Sequence, residues 1–560
     1  MEQARKCSGQ IAAPVIVVAA AVAWAWLFHT GLFCSDDTRY LAGAVRLALG
    51  LDISVNSPAE RRAFFLLPAA LAYRMASNID AAIAVYDAFY VALGCVAYAC
   101  ARQWWRPWPS AAVAIVALSQ PALLLYSGAM LPDVSTACFA ALSLYLLCRW
   151  VGGDAGLSKG VRLLAPFWAG VCLICAFASK ESGAILLPIG IVFALGRVVR
   201  DPRSGAKEAL AFVSGVLIAH LAEAAVFRWS AGHWYSSLLS LFKPHDLATF
   251  ADIQGHTPIR RLGTLGSQLG LSTSLVFLLA GVSTIQIVRE CIRGELHSAD
   301  AARWLVIVAF WLWPALYFTF GTASPKAYVL PMIQQRYFAL CIVPACLLAA
   351  RLASSLAAFG RGRKWLRMAV VSSLVLAIAA TLHLARRQRG FIYHVAEKES
   401  YLAAVYAIRT RHSEALPVLD FGSGWTSDLG ACRALLRARE SPGDRLGFEQ
   451  SLQSRSKSRN HVTEIASVSG RYAAVGHGDW LGSAEGRALV SLAEQRKLQI
   501  EKIGRYFPLR RGDLRKWWWL PREMAVRQAL LNSAVPASPA NEIDKRAYLD
   551  AYLVTPKSGK

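Results

Sequence analysis

Two adjacent carboxylates, Asp36 and Asp37, precede Arg39 and Tyr40, directly after an apolar run from Ile11 to Phe28. Acids beside a cation are equipped to take a proton and to hold an anion. The apolar run is long enough to cross a bilayer, and charges at its mouth cost free energy unless they react or hold a partner. Capping a helix needs one short polar side chain. Two adjacent acids exceed that need, so Asp36 and Asp37 are the first candidates for chemistry.

Other ionisable residues are expected at the same membrane face. Asp133 follows Leu131 and Pro132, while Lys180 and Glu181 separate two apolar runs. Lys243 and His245 lie in a long polar loop, and Lys326 and Arg336 bracket the loop before a late apolar run. Carboxylates and several cations at one depth suit a phosphate-bearing lipid: the cations hold the phosphate and a carboxylate takes a proton. Taken singly, these residues have plainer readings. Lys180 and Glu181 suit a solvated loop, Asp133 an N-cap and His245 a surface loop. Asp87 and Glu223 lie within apolar runs and read as paired buried groups.

These residues must be positioned by a membrane domain. The chain has 560 residues, of which 55% are hydrophobic, and the apolar residues come in long blocks. About eleven spans are expected, near 11–28, 81–101, 110–126, 134–150, 163–178, 183–196, 209–227, 269–288, 304–320, 337–356 and 368–385. Basic residues fall in alternate loops, as at Arg197, Arg200, Arg203 and Lys207, which puts the N-terminus in the cytoplasm and Asp36 across the membrane. The first span is read as retained, because no small-residue cleavage site follows it. The stretch from Tyr40 to Leu47 has an amphipathic helical pattern suited to the interface, and Ala63 to Met75 reads as a short interfacial or re-entrant piece.

Residues 1–385 are thus expected to form the membrane domain and 386–560 a small soluble α/β domain on the outer face. Strands are expected at 416–421 and 472–475, and helices at 401–409 and 489–496. Gly422 and Gly424 form neither a dinucleotide fingerprint nor a Walker loop, so no nucleotide is assigned. Trp517, Trp518 and Trp519 with neighbouring cations suit either a membrane interface or that domain's own core. The net charge of +24 carries no nucleic-acid recognition motif, and loop topology accounts for much of it. The twelve cysteines form no disulfide framework, and Cys172 and Cys175, within a span, read as apolar filler.

The motifs of residues 11–356 resemble those of the GT-C membrane glycosyltransferases, in particular the protein O-mannosyltransferase and lipid A aminoarabinose transferase (ArnT-like) branch. The family's first outer loop carries an Asp-Glu pair, often continuing to Arg-Tyr, before an amphipathic helix. Here it reads Asp36, Asp37, Thr38, Arg39 and Tyr40, with Asp in place of Glu at the second position. Asp133 after Leu131 and Pro132, Lys180 after Ala178 and Ser179 with Pro188 beyond, and the Arg336-Tyr337 pair match later motifs in order. The resemblance implies inverting transfer from a polyprenyl-phosphate-linked sugar to a protein, lipid or glycan acceptor. Asp36 would be the general base, with Asp37 beside it. Asp133 would orient the acceptor, and Arg39, Lys180 and Arg336 would stabilise the leaving phosphate. A divalent metal on Asp36 and Asp133 would have only a partial shell, and none is required.

An Ala- and Arg-rich style points to a bacterial inner membrane. A transporter or lipid flippase is the main rival, but such proteins carry midplane binding groups and internal repeats. Here the charges cluster at one face and no repeat is visible. A non-catalytic envelope scaffold is a second rival, and another lipid-linked saccharide enzyme a third.

Overall fold

The computed structural model describes residues 2–29, 36–53, 59–152, 159–237, 257–321, 334–359, parts of 372–383, 393–412, 418–421, 472–477, 484–495, 498–507, 526, 528–530 and 548–556. The apolar runs are helices: α1 (Glu2–Phe28), α2 (Asp36–Ala48), α3 (Ala63–Ala76), α4 (Ile79–Ala101), α5 (Pro107–Leu118), α6 (Pro121–Leu124), α7 (Pro132–Gly152) and α8 (Lys159–Ser179). A 3-10 turn at Glu181–Leu186 leads into α9 (Leu187–Arg200), followed by α10 (Pro202–Ala231), α11 (Pro258–Ile292) and α12 (Ser298–Phe320). A second 3-10 turn at Gln335–Phe338 opens α13 (Ala339–Phe359).

Local chemistry sets these ends. Proline stands in the opening turn of α5, α6, α9, α10 and α11, where its missing N–H has no intrahelical partner to lose. The Asn78, Asp201 and Thr257 side chains accept from backbone N–H groups of Asp80, Ser204 and Arg260 as N-caps. Helix α10 closes on Gly232 in the left-handed region, φ 69°.

Among the described residues, eight helical segments are long and apolar enough to cross a membrane. They match eight of the expected spans. The other two described spans are shorter apolar helices, Pro107–Leu118 and Leu163–Ser179. The expected span at 110–126 stops at Leu118 because Pro121 starts a separate turn. Most of the span expected at 368–385 lies outside the described residues. The segment read as interfacial or re-entrant is the helix α3, which continues through Pro68. Helices α1, α9, α10 and α11 turn large apolar side chains outward, among them Val15, Val192, Leu217 and Ile285. This surface suits lipid rather than water.

The bundle packs closely where glycine allows it. A Cβ on Gly215 would collide with the Phe167 carbonyl oxygen, and one on Gly170 with that of Phe212. Helices α8 and α10 therefore meet backbone to backbone, as small residues permit in membranes.

Beyond the bundle are α14 (Tyr393–His412), β1 (Val418–Phe421), β2 (Tyr472–His477), α15 (Ala484–Gln495), β3 (Leu498–Tyr506) and β4 (Leu549–Pro556). The strands form one sheet in the order β1-β2-β4-β3, with β1 and β2 parallel and the other pairs antiparallel. A continuous apolar cluster runs from α2, α3 and α4 into α14 and this sheet. The turn residues Gly422 and Gly424, and the tryptophans at 517–519, lie outside the described residues.

Candidate active site

The centre is a buried ion pair between Lys180 Nζ and Asp133 Oδ1. Asp133 is 2% exposed and Lys180 8%. Neither plainer reading holds. Asp133 lies in the first turn of α7, where a negative charge meets the positive helix end. Its Oδ1 serves Lys180, and among the described residues its buried Oδ2 has no hydrogen-bond partner, so neither oxygen caps the helix. Lys180 is not in a solvated loop but between α8 and the 3-10 turn, with extended backbone. Its N–H donates to the Ala176 carbonyl at 3.1 Å, and its own carbonyl accepts from Gly183 at 2.8 Å. A Cβ on Gly183 would sit 2.5 Å from the Ala176 carbonyl carbon, so this turn requires glycine.

Arg336 and Tyr337 close the pair from the start of α13. Lys180 Nζ lies 4.3 Å from the Tyr337 ring centre and Arg336 Cζ 5.8 Å from it, within cation–π range. Arg336 Nε donates to Gln334 Oε1 at 2.8 Å. The Arg336 guanidinium is in the field of the Asp133 carboxylate and, more weakly, that of Asp36. Burial pulls the Lys180 ammonium down to about 8; Asp133 opposes that shift, and the Arg336 and Arg62 guanidiniums add to it.

Asp36 and Asp37 open α2. Asp37 is fully buried, Asp36 half-buried and Arg39 exposed on the same helix. An aromatic chain holds α2 in place. The Tyr40 ring meets Phe65 edge-on at 4.9 Å, Phe65 packs on Tyr86 at 4.7 Å, and Tyr86 Oη donates to the Phe65 carbonyl at 3.0 Å. The structure thus brings Asp133, Lys180 and Arg336 together, with Asp36 in electrostatic range. Lys243, His245 and Lys326 lie outside the described residues.

A second cationic group was not anticipated. Arg61 donates to Glu181 Oε1 at 3.1 and 3.2 Å, and Arg62 to Glu181 Oε2 at 2.8 Å. Arg62 also stands 5.1 Å over the Tyr40 ring. Glu181 therefore ties the turn that carries Lys180 to the start of α3. The available signal was two adjacent arginines in a loop assigned to the outer face, against the usual charge bias. Asp87 and Glu223 are both paired as expected, but Asp87 is half-buried rather than buried. Asp87 lies 3.3 Å from His29 Nδ1, and Glu223 accepts from the Ser237 N–H at 2.9 Å and from its hydroxyl.

Among the described residues no three His, Cys, Asp or Glu side chains converge, and an ammonium already occupies Asp133 Oδ1.

No protein-family model matches the chain, and a search of curated proteins found no match. Solved structures do. ArnT from Cupriavidus metallidurans in the apo state aligns with a TM-score of 0.54 at 15% identity, over 87% of this chain and 95% of that one. The same protein bound to undecaprenyl phosphate aligns with a TM-score of 0.50 at 14% identity, over the same 87% and 95%. The apo oligosaccharyltransferase of Archaeoglobus fulgidus is a fainter likeness, with a TM-score of 0.48 at 13% identity over 89% and 73%. The chain shares the fold of ArnT.

Breaking a buried ion pair from one side strands the other charge and costs about 3–5 kcal/mol, whereas removing both partners costs less. Lys180→Met and Asp133→Asn are each expected to lower the melting temperature in detergent more than the double variant does. Additive losses in the double variant would show that the two side chains are not coupled.

Proposed function

We propose that the chain is an inverting glycosyltransferase that moves a sugar from a polyprenyl-phosphate donor to an acceptor on the outer face of a bacterial inner membrane. The observation that carries this reading is the buried Lys180–Asp133 pair beside Arg336 and Tyr337, within electrostatic range of Asp36. Cations with one spare carboxylate oxygen suit a phosphate leaving group next to a nucleophile. The fold shared with ArnT, which was solved with undecaprenyl phosphate bound, supports the same donor class.

In this mechanism Lys180 and Arg336 hold the donor phosphate, and Arg39 guides it from the exposed face of α2. Asp36 takes the proton of the acceptor hydroxyl or amine as its heteroatom attacks the anomeric carbon. The bond from that carbon to the phosphate oxygen breaks, and its electron pair leaves with the polyprenyl phosphate. Attack opposite the leaving group inverts the anomeric centre. The two guanidinium and ammonium groups stabilise the growing negative charge, and held geometry supplies much of the remaining acceleration. Asp37, buried at the start of α2, positions Asp36. The free Oδ2 of Asp133 offers an acceptor hydroxyl a hydrogen-bond partner. The domain division at about residue 385, a cytoplasmic N-terminus and an outer C-terminal domain complete the proposal. A protein, lipid or glycan acceptor is consistent with it.

Two measurements test this reading. Membranes carrying the wild type should consume labelled polyprenyl-phosphate sugar, and Asp36→Asn, nearly isosteric, should cut turnover by about 10²-fold or more. Equal consumption by both would remove Asp36 as the base. The second concerns pH. Lys180 binds phosphate as an ammonium, so kcat/KM for the donor should fall as pH rises through about 8, where that proton is lost. Lys180→Arg keeps its charge at every accessible pH and should abolish this alkaline fall even if overall activity drops. An unchanged alkaline limb in Lys180→Arg would assign the titration to another group.

A further inference from the structure

Helices α7 and α9 carry a second polar feature far from the candidate active site. Asp133 is the second residue of the 21-residue helix α7, which Gly152 ends. At 1.5 Å per residue the two are about 30 Å apart, roughly one hydrocarbon thickness. Lys180 likewise precedes the helical segment that ends at Arg200. At this far end a cavity of about 570 Å3 lies between Gly152, Arg197, Arg200, Asp201, Pro202 and Ala299.

The arginines here are held in different ways. Arg197 Nε donates to Glu208 Oε2 at 2.9 Å, and Nη2 lies 2.8 Å from the same oxygen. Glu208 also accepts from Trp150 Nε1 at 2.8 Å and from the Ser204 hydroxyl at 3.3 Å, so the Arg197 guanidinium is fixed in place. Among the described residues Arg200 has no such counter-ion. Among the described residues its polar partner is the neutral Ser298 hydroxyl, at 3.2 Å. Asp201 is engaged as the cap of α10. The third guanidinium, that of Arg303, packs against the end of α7 where a side chain on Gly152 would stand.

Helix α9 turns Val192, Leu195 and Val199 outward, on the side away from Arg197 and Arg200, as a lipid-facing span does. The cavity at the end of such a span lies at headgroup depth. Basic pockets between helix ends suit anionic lipid headgroups.

We propose that this cavity binds the phosphodiester headgroup of an anionic phospholipid from the leaflet opposite the candidate active site. The site is independent of the proposed transferase reaction.

The test is native mass spectrometry of the full chain with phosphatidylglycerol or phosphatidylcholine. The wild type should retain phosphatidylglycerol preferentially. Arg200→Gln should weaken that retention about five-fold, the loss expected for one cation near a headgroup. Arg203→Gln removes the same charge from the exposed first turn of α10, outside the cavity lining, and should change retention by less than about two-fold. Ala299→Leu fills the cavity without altering charge and should weaken retention as Arg200→Gln does. It also decides the matter if Arg200→Gln fails to fold. Equal losses for Arg200→Gln and Arg203→Gln would show diffuse attraction and overturn the proposal, as would retention unaffected by Ala299→Leu. Soluble glycerophosphoglycerol that competes as well as the intact lipid would overturn the lipid assignment.

Discussion

A buried ammonium and a buried carboxylate constrain each other and everything that carries them. Moving either into a low-dielectric interior costs several kcal/mol unless the partner is in place. Lys180 and Asp133 therefore fix the junction between α8 and the 3-10 turn against the start of α7. The surrounding structure meets that constraint with small residues and proline. Gly183 lets the turn fold back on Ala176, Gly170 and Gly215 let α8 lie against α10, and Pro132 starts α7 one residue before the acid. Among the described residues the pair leaves Asp133 Oδ2 without a partner and an ammonium whose proton is lost near pH 8. These features are expensive in a purely structural pair and useful in one that meets a phosphate.

The second layer is the link between α2, α3 and the turn. Glu181 joins Arg61 and Arg62 to the residue after Lys180, and Tyr40 receives Arg62 while packing on Phe65. The position of the Asp36–Asp37 helix is thus coupled to that of Lys180 through one carboxylate and a short aromatic chain. Such coupling is what a reaction between a nucleophile and a held leaving group needs, since small misplacements are costly. The far end of the same helices carries a second set of arginines around a cavity, where Arg197 is paired with Glu208 and Arg200 meets the Ser298 hydroxyl. One bundle therefore presents two cationic ends about a membrane thickness apart.

Much of this was legible in the sequence, for identifiable reasons. Long apolar blocks can hardly fold other than as helices in lipid, so the spans were readable to within a few residues. Asp36, Asp133, Lys180 and Arg336 stood out because topology put them at one face. The contact between Asp133 and Lys180 was not readable, because it depends on how α7 and α8 pack. Arg61 and Arg62 were passed over, although an arginine pair on the outer side is unusual. The end of the third span was misplaced because the apolar run continues past Pro121 while the helix does not. In the C-terminal part β1 and β2 were anticipated. The strands β3 and β4 were missed, although Leu498 and Ile500 alternate with Gln499 and Glu501 in β3.

The most direct test is an experimental structure of the full chain with undecaprenyl phosphate bound. The account predicts the phosphate within hydrogen-bond distance of Lys180 and Arg336, beside Asp133 and on the side facing Asp36. A phosphate bound elsewhere, with the Lys180–Asp133 pair closed and untouched, would contradict it.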